Sequence, residues 1–433
     1  MNKFFFLFVF LLAFSVNAQF KVTGEINNYF NKDVKVRIFN GPSDVLINKV
    51  TTDKNGKFTV NIPQKYSGIV RFTDFSNQAI LDLLSDNENL NFKVTYQNNT
   101  FNDLVINEGK SAQGFKEFSM HEGLNDMKAN IFPIIKPLYN ETDEFFKAIQ
   151  KEEQRIQKLS HQTESPLLKY YISISELANT QFDAKIAADI HKDKIQKRLI
   201  NDNNYLEGTG FMAKLVLDYL RSSIYGATSQ EQINTIIEKE LDLLLEKADI
   251  ETPRGQNVLS SVFLVLPSQQ FSSLLEKYYE KANALTCEIT DELKSNLSAH
   301  NNTVLGNVVP NIIFKEPVKG YKSLYDVKAD QKIIIFWASW CPACNDEMPY
   351  VQEYYRNFKQ NGGEIISISL DFDAESFKSA TQGFEWVNYT ELLQWDTKAV
   401  ADYGVTVTPT LFLVDKDNKL VKKATHISEL VEL

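Results

Sequence analysis

Residues that bind metals are scarce in this sequence, which has 3 cysteines and 5 histidines among its 433 residues. A structural zinc site generally takes four such ligands. The histidines show no ligand spacing: His121, His161, His191, His300 and His426. Cys287 lies far from the other two cysteines, inside a helical pattern, and is predicted to be a buried, inert thiol. A zinc site is therefore disfavoured, and no metal or other cofactor is predicted.

An excess of positive charge is also missing, because the formal net charge is −10. A protein that binds nucleic acid generally carries a basic electrostatic footprint, so nucleic acid is not among the predicted partners. A net charge this far from zero favours solubility.

Long apolar runs are confined to the N-terminus, where Phe4–Phe14 is entirely apolar. Lys3 precedes this run and the small-residue exit Val16-Asn17-Ala18 follows it, as in a secretory signal peptide. A membrane anchor is the alternative, but the run is shorter than the roughly 20 residues that a span needs. We therefore expect residues 1–18 to be a cleaved signal peptide. The mature chain, beginning at Gln19, is expected to be periplasmic or otherwise exported, without a stable membrane span.

The hydrophobic pattern divides the remaining chain into three segments, in keeping with the two or three domains expected from its length. Residues 19–108 contain short alternating runs such as Lys57–Ile62, which predict a β-sandwich. Residues 112–298 have apolar positions at helical spacing and predict a central α-helical module. A polar stretch, Ser298–Thr303, separates this module from the third segment, residues 305–433.

The third segment combines strand and helix patterns and contains all four tryptophans. Lys332–Trp337 is a nearly continuous apolar run, typical of a strand that is covered on both faces. Residues 346–358 have a helical pattern, and strand patterns follow at 364–370, 410–414 and 420–424. This order predicts a small α/β domain with a mixed sheet.

A pair of cysteines within the third segment, Cys341 and Cys344, is separated only by Pro342-Ala343. The two thiols can therefore close a disulfide within one helical turn. A purely structural disulfide is one possibility, although so small a loop constrains little of the unfolded chain. The disulfide capacity of the chain is concentrated in this one motif, a pattern that favours redox chemistry over stapling.

Two motifs of the third segment resemble a known family. Trp337-Ala-Ser-Trp-Cys-Pro-Ala-Cys344, followed by Glu347-Met-Pro349, is similar to the active-site region of thioredoxin-fold proteins, specifically exported disulfide reductases of the TlpA and ResA type. Tyr403–Asp415 resembles the cis-proline loop and following strand of that family. The resemblance covers residues 305–433 and implies a thioredoxin fold there. Residues 19–108 more loosely resemble a domain that often precedes such modules in exported bacterial proteins.

The resemblance implies a role for each residue of the first motif. Cys341 is expected at a helix N-terminus, which favours a thiolate, and attacks a substrate disulfide, while Cys344 resolves the mixed disulfide. Glu347 matches a carboxylate near the active site of the ResA-type branch and is expected to accept the Cys344 proton. An exposed Glu that merely favours the helix dipole is the alternative. Many thioredoxins have a buried Asp in the preceding strand, where this chain has Ile335.

The second motif implies a surface for substrates. Pro409 is expected to be cis and to present the Thr408 backbone to an extended substrate segment, whereas a trans proline in an ordinary turn is the alternative. Trp340 is either an apolar contact surface for partners or a lid on the domain. The implied partners are protein disulfide or thiol substrates and an upstream electron-donor protein. The direction of electron flow and the oligomeric state are open.

Two other functions compete with this prediction. A peroxidase of the peroxiredoxin class shares the fold, but its motif has a threonine three residues before the cysteine, where this chain has Ala338. A partner-binding or scaffold protein is the second alternative, in which the long section ahead of residue 305 docks a partner and the redox module is secondary. The favoured prediction is an exported thiol-disulfide oxidoreductase that reduces protein disulfides through Cys341 and Cys344.

Overall fold

A computed structural model describes residues 20–158, 163–201, 203–267 and 270–430. The predicted signal peptide, residues 1–18, lies outside the described residues. Contacts divide the chain into two compact units, which are Met1–Thr180 with Asn203–Phe211, and Gln181–Asp202 with Met212–Leu433. No helix among the described residues is both long and apolar enough to cross a membrane.

The first unit begins with eight strands that form two four-stranded sheets. The strands are β1 Phe20–Asn27, β2 Asp33–Phe39, β3 Asp44–Thr51, β4 Lys57–Ile62, β5 Ser67–Asp74, β6 Ile80–Asp86, β7 Leu90–Gln97 and β8 Thr100–Glu108. The sheet orders are β4-β1-β7-β8 and β3-β2-β5-β6. In β4 every second residue is buried, which is the alternation that the sequence shows.

Both sheets contribute side chains to one hydrophobic core. Phe58 and Phe92 come from the first sheet and Phe72 from the second, and all three belong to a single buried cluster. The ring centroids of Phe72 and Phe92 are 5.0 Å apart. Gly24 lies against this cluster, because a Cβ atom there would lie 2.3 Å from the Phe58 ring.

Four helices of the first unit follow the strands. They are α1 Lys110–Asn130, α2 Phe132–Ile135, α3 Glu144–Lys158 and α4 Pro166–Ala178. Helix α4 begins after Ser165, whose side chain accepts a hydrogen bond from the Leu168 amide, as a helix N-cap does. Phe115 of α1 and Leu168 of α4 join Ile69 of β5 in one buried cluster, so these helices cover a sheet.

Among the described residues, the second unit begins with six helices. They are α5 Lys185–Asn201, α6 Met212–Ser223, α7 Gln230–Ala248, α8 Pro253–Val265, α9 Ser272–Asn283 and α10 Asp291–Asn302. Thr252 and Thr290 cap the N-termini of α8 and α10 through their hydroxyl groups. The helices predicted as one module over residues 112–298 are thus divided between the two units.

The last part of the second unit is a mixed α/β domain. Its elements are β9 Ile313–Val318, β10 Tyr321–Ser323, β11 Gln331–Trp337, α11 Pro342–Gln360, β12 Gly363–Ser369, α12 Ala374–Ala380, β13 Val387–Thr390, α13 Lys398–Tyr403, β14 Thr410–Asp415 and β15 Leu420–Ala424. Strands β13-β12-β11-β14-β15 form one sheet. Strand β11 pairs parallel with β12 and antiparallel with β14, so the predicted mixed sheet is confirmed.

The sheet brings three chain segments to one edge. Residues 332–337 of β11 are all buried, as the apolar run of the sequence indicates. The turn into α11 follows this strand and carries the cysteine pair. The end of β12 and the start of β14 flank that turn, because both strands are paired with β11.

Candidate active site

The cysteine pair lies at the N-terminus of α11. Cys341 and Cys344 are joined by a disulfide, with their Cα atoms 5.2 Å apart. Cys341 is the N-cap residue, and its Sγ accepts a hydrogen bond from the Cys344 amide at 3.2 Å. Pro342 occupies the first helical turn, where a missing N–H leaves no intrahelical bond unmade.

The two sulfurs are in different environments. Cys341 is 5% exposed and Cys344 is completely buried. In the reduced protein, the amide groups and dipole at the helix start favour negative charge on the N-cap sulfur. The sequence therefore folds into a site with one sulfur at the helix start and a second, completely buried sulfur one turn further along the helix.

The loop before β14 lies directly beside Cys341. The Thr408-Pro409 peptide bond is cis, which confirms the predicted isomer. The Thr408 carbonyl oxygen lies 3.5 Å from Cys341 Sγ. Val407 is 56% exposed, so the chain next to the sulfur includes an accessible apolar side chain. An extended segment that pairs with this loop would run alongside Cys341.

Glu347 lies one turn after Cys344 on α11 and is 7% exposed. Its Oε1 accepts a hydrogen bond from the Ile427 amide at 2.6 Å. Its Oε2 lies 2.9 Å from Nδ1 of His426. The carboxyl group is therefore buried and held from two sides, unlike the exposed Glu that was the alternative. Its proposed part in proton transfer stays a prediction.

His426 was not recognised as a site residue from the sequence. Its side chain is 62% exposed, and it follows β15 directly. The hydrogen bond to Glu347 raises the pKa of the His426 imidazole above its ordinary value of 6.5, and the charges of Glu347 and Glu429 add to this effect. No sequence spacing signals the contact, because the two partners are 79 residues apart.

A second carboxyl group that the sequence reading missed is Asp371, just after β12. It is 1% exposed. Its Oδ1 accepts hydrogen bonds from the Ser339 amide at 3.1 Å and the Ser339 hydroxyl at 2.6 Å. Its Oδ2 accepts one from the Ser369 hydroxyl at 2.6 Å. A polar residue directly after a fully buried strand, at the edge that carries the cysteine pair, was the available signal.

Trp340 is tied to the same segment. Its indole N–H donates to the Leu370 carbonyl at 3.3 Å, yet the residue is 42% exposed. Thus Ser339 and Trp340, the two residues ahead of Cys341, are both anchored to residues 370–371. One edge of the indole is fixed to the domain while part of its apolar surface faces solvent.

The preceding strand contributes no carboxylate. Ile335 is completely buried in β11, so the position that holds an aspartate in many thioredoxins is apolar here. Glu347 and Asp371 are instead the buried carboxyl groups close to the motif. They approach it from α11 and from the end of β12.

Comparison with known proteins identifies relatives of the C-terminal domain. A model described as the AhpC/TSA family matches residues 305–423. Thiol-disulfide oxidoreductase ResA of Bacillus cereus is 33% identical over 120 residues, which are 28% of this chain and 68% of that protein. ResA of Bacillus subtilis is 28% identical over 120 residues, covering 28% of this chain and 66% of its own length.

A solved structure is also similar. The thioredoxin domain of a thiol-disulfide oxidoreductase from Bacteroides vulgatus is 28% identical, with 30% of this chain and 96% of that chain covered and a TM-score of 0.27. The match to ResA and the residues around the cysteine pair identify the family of the C-terminal domain. Through this domain, the chain belongs to the thioredoxin-fold thiol-disulfide oxidoreductases of the TlpA/ResA type.

Proposed function

We propose that this oxidoreductase is exported and reduces disulfides of other proteins, with Cys341 and Cys344 as its dithiol. The observation that carries the proposal is the difference between the two sulfurs. Cys341 caps α11 beside the Thr408 carbonyl, whereas Cys344 is completely buried behind it. This arrangement supports attack by Cys341 and resolution by Cys344.

The first step forms a mixed disulfide. The Cys341 thiolate attacks one sulfur of a substrate disulfide, a Cys341–substrate S–S bond forms, and the substrate S–S bond breaks with departure of a thiolate. The helix N-terminus supplies the thiolate at a pH below the ordinary thiol pKa of about 8.5. An extended substrate segment pairs with the Thr408 backbone, which brings its disulfide next to Cys341.

The second step releases the reduced substrate. Cys344 passes its proton to the Glu347 carboxylate and attacks Cys341 Sγ, so that the Cys341–Cys344 bond forms and the substrate leaves as a second thiolate. The substrate gains two electrons and the dithiol loses two. The product is the disulfide form seen in the structure. A thiol donor protein must then reduce it for the next cycle.

A trapping experiment tests these assignments. With Cys344→Ser, resolution is blocked, so we expect mixed disulfides with exported proteins. A reducing agent should cleave these complexes. Cys341→Ser is the matched control and should form none, because the buried sulfur cannot reach a substrate. The wild type should reduce insulin, and both variants should have lost this activity. Absence of exchange in the wild type, or equal trapping by both variants, would contradict the proposed roles.

The remaining parts of the proposal concern the first unit and the site of action. The signal-like pattern in residues 1–18 supports export, and N-terminal sequencing of the secreted protein should then begin at Gln19. The core shared by Phe58, Phe72 and Phe92 supports a β-sandwich arrangement of the two sheets. A partner-binding role for the section ahead of residue 305 stays a prediction.

A further inference from the structure

We propose that His426 is a positioning residue that orients the Glu347 carboxylate and carries its proton to solvent during resolution. This inference rests on the proton-acceptor role proposed for Glu347. It extends the site by a residue from the C-terminal end of the domain, in the loop between β15 and the 3₁₀ turn Ile427–Leu430. Cys344, Glu347 and His426 then form one path from the inner sulfur outward.

The exposure of the three residues changes in one direction along this path. Cys344 is completely buried and Glu347 is 7% exposed, while the His426 side chain is 62% exposed. Cys344 and Glu347 are three residues apart on α11, so their side chains lie on the same helix face. A proton released at the buried thiol therefore needs a carrier between Glu347 and water, and the imidazole occupies that place.

The contacts of the carboxyl group distinguish its two oxygens. Oε1 is held by the Ile427 amide at 2.6 Å, and a backbone amide does not exchange its proton on the time scale of catalysis. Oε2 is 2.9 Å from His426 Nδ1, and an imidazole can bind a proton at one ring nitrogen and release one at the other. Of these two contacts, the one to His426 can therefore transfer a proton.

The charges around the imidazole set the pH at which it works. Glu347 faces it from α11. Glu429, on the adjoining turn, accepts a hydrogen bond from the His426 amide at 2.8 Å. Lys422 of β15 donates to the Glu429 carbonyl at 2.6 Å. These neighbours are two carboxyl groups and one lysine. The pKa of His426 is raised above 6.5, chiefly by the hydrogen bond to Glu347.

The proton balance of the relay is closed. Cys344 gives its proton to Glu347 as the new S–S bond forms. Neutral His426 takes that proton at Nδ1, which restores the Glu347 carboxylate. The imidazolium then releases a proton from Nε2 to water. The Nδ1–H tautomer that remains returns to the starting Nε2–H tautomer by proton exchange with water, which the exposed ring allows. Because the relay starts from neutral imidazole, the rate of resolution should rise with pH through the raised pKa of His426.

The test uses the reduced full-length chain mixed rapidly with an excess of a chromogenic aromatic disulfide. The first release of coloured thiolate reports attack by Cys341, and the second reports resolution by Cys344. We compare the wild type with His426→Gln, His426→Ala and Glu347→Gln across a pH series. Ser428→Ala is the matched control, because Ser428 is exposed and lies two residues after His426.

The expected result is specific to the second phase. His426→Gln and His426→Ala should slow resolution about tenfold at neutral pH, which is less than the roughly 10²–10⁴-fold typical of general acid–base catalysis, and should lose the rise above pH 6.5. Free imidazole in the buffer should restore the rate of His426→Ala. The first phase should be unchanged in both variants, and Ser428→Ala should match the wild type.

Two patterns of failure can be told apart. If Glu347→Gln slows resolution while both His426 variants keep the wild-type pH profile, the relay is wrong and the Glu347 role stands. If Glu347→Gln also keeps that profile, the acceptor role and the relay are both wrong. A third outcome is that His426→Ala slows resolution, His426→Gln has the wild-type rate and added imidazole does not rescue His426→Ala. The contact would then be purely structural, and the relay would be wrong.

Discussion

Among the contacts near the cysteine pair, we expect those of the Asp371 carboxylate to be the most sensitive to substitution. It accepts hydrogen bonds from the Ser339 amide, the Ser339 hydroxyl and the Ser369 hydroxyl while being 1% exposed. Asp371→Ala removes all three acceptor contacts at once. The turn that carries Trp340 and Cys341 would then lose its main attachment to the end of β12.

The magnitude follows from the number and type of these bonds. A hydrogen bond to a charged group contributes about 1.5–3 kcal/mol, so the three together set an upper limit of about 9 kcal/mol. The buried carboxylate itself has a desolvation penalty of several kcal/mol, which the substitution relieves. The two serine hydroxyls can also rotate toward other acceptors. We therefore expect Asp371→Ala to lower the free energy of unfolding by about 3 kcal/mol.

Tryptophan fluorescence can measure this loss in the intact chain. All four tryptophans (Trp337, Trp340, Trp386 and Trp395) lie in the thioredoxin domain, so their emission in a urea series reports the unfolding of that domain alone. Asp371→Asn is the matched variant, since an amide keeps the shape and one acceptor oxygen. It should lose roughly half as much stability.

The outcome also bears on the active site. Because Ser339 and Trp340 precede Cys341, a loosened turn should slow attack on a disulfide even where the domain is still folded. A loss of less than about 1 kcal/mol, the value of one ordinary hydrogen bond, together with wild-type exchange rates, would refute the view that Asp371 holds the turn.

Two further substitutions test other parts of the second unit. His300 stacks on Tyr279 with ring centroids 3.7 Å apart, and burial lowers the pKa of His300 below 6.5. The contribution of His300 to stability is therefore complete above pH 6.5. It decreases as the pH falls, because the unfolded chain is protonated first. His300→Phe should reduce this acid loss in urea unfolding followed by circular dichroism, and an unchanged pH dependence would contradict it. Trp340→Ala should raise KM for protein disulfides more than for a small aromatic disulfide, with Trp340→Phe close to the wild type; equal effects on both substrates would favour the lid.

The elements that the sequence predicted well are those with strong local signals. Strand β11 was predicted because a parallel strand buried on both faces is continuously apolar. Helix α11 begins at Pro342 with Cys341 as its N-cap, as expected from the motif, whereas the helical pattern of the sequence starts only at residue 346. Helix α12 has no buried residue and so shows no hydrophobic periodicity.

The division of the helical region could not be predicted in the same way. An apolar stripe shows that a helix covers something, but not which neighbour it covers. Helix α1 packs its Phe115 on strand residues of the first unit, whereas α5 belongs to the second unit. Neither helix has a marked apolar stripe in its sequence, so the pattern could not assign either one to a unit.

The site shows the same limit. Cys341, Cys344 and Glu347 are neighbours on one helix, so the motif alone groups them. Asp371 reaches Ser339 across 32 residues, and His426 reaches Glu347 across 79. Only the order of strands in the sheet brings these partners together. Tertiary contacts of this kind leave no spacing in a single sequence.

The end of α10 is fastened to the thioredoxin domain from both sides. Asn302 donates to the Asp402 carbonyl at 3.0 Å, and Lys423 donates to the Thr303 hydroxyl at 2.9 Å. A redox domain on a slack tether sweeps a volume and raises its effective concentration near a bound partner. The two contacts leave no free linker between α10 and the domain. The cysteine pair therefore keeps its position relative to α10, and the helix and the redox domain present one joint surface.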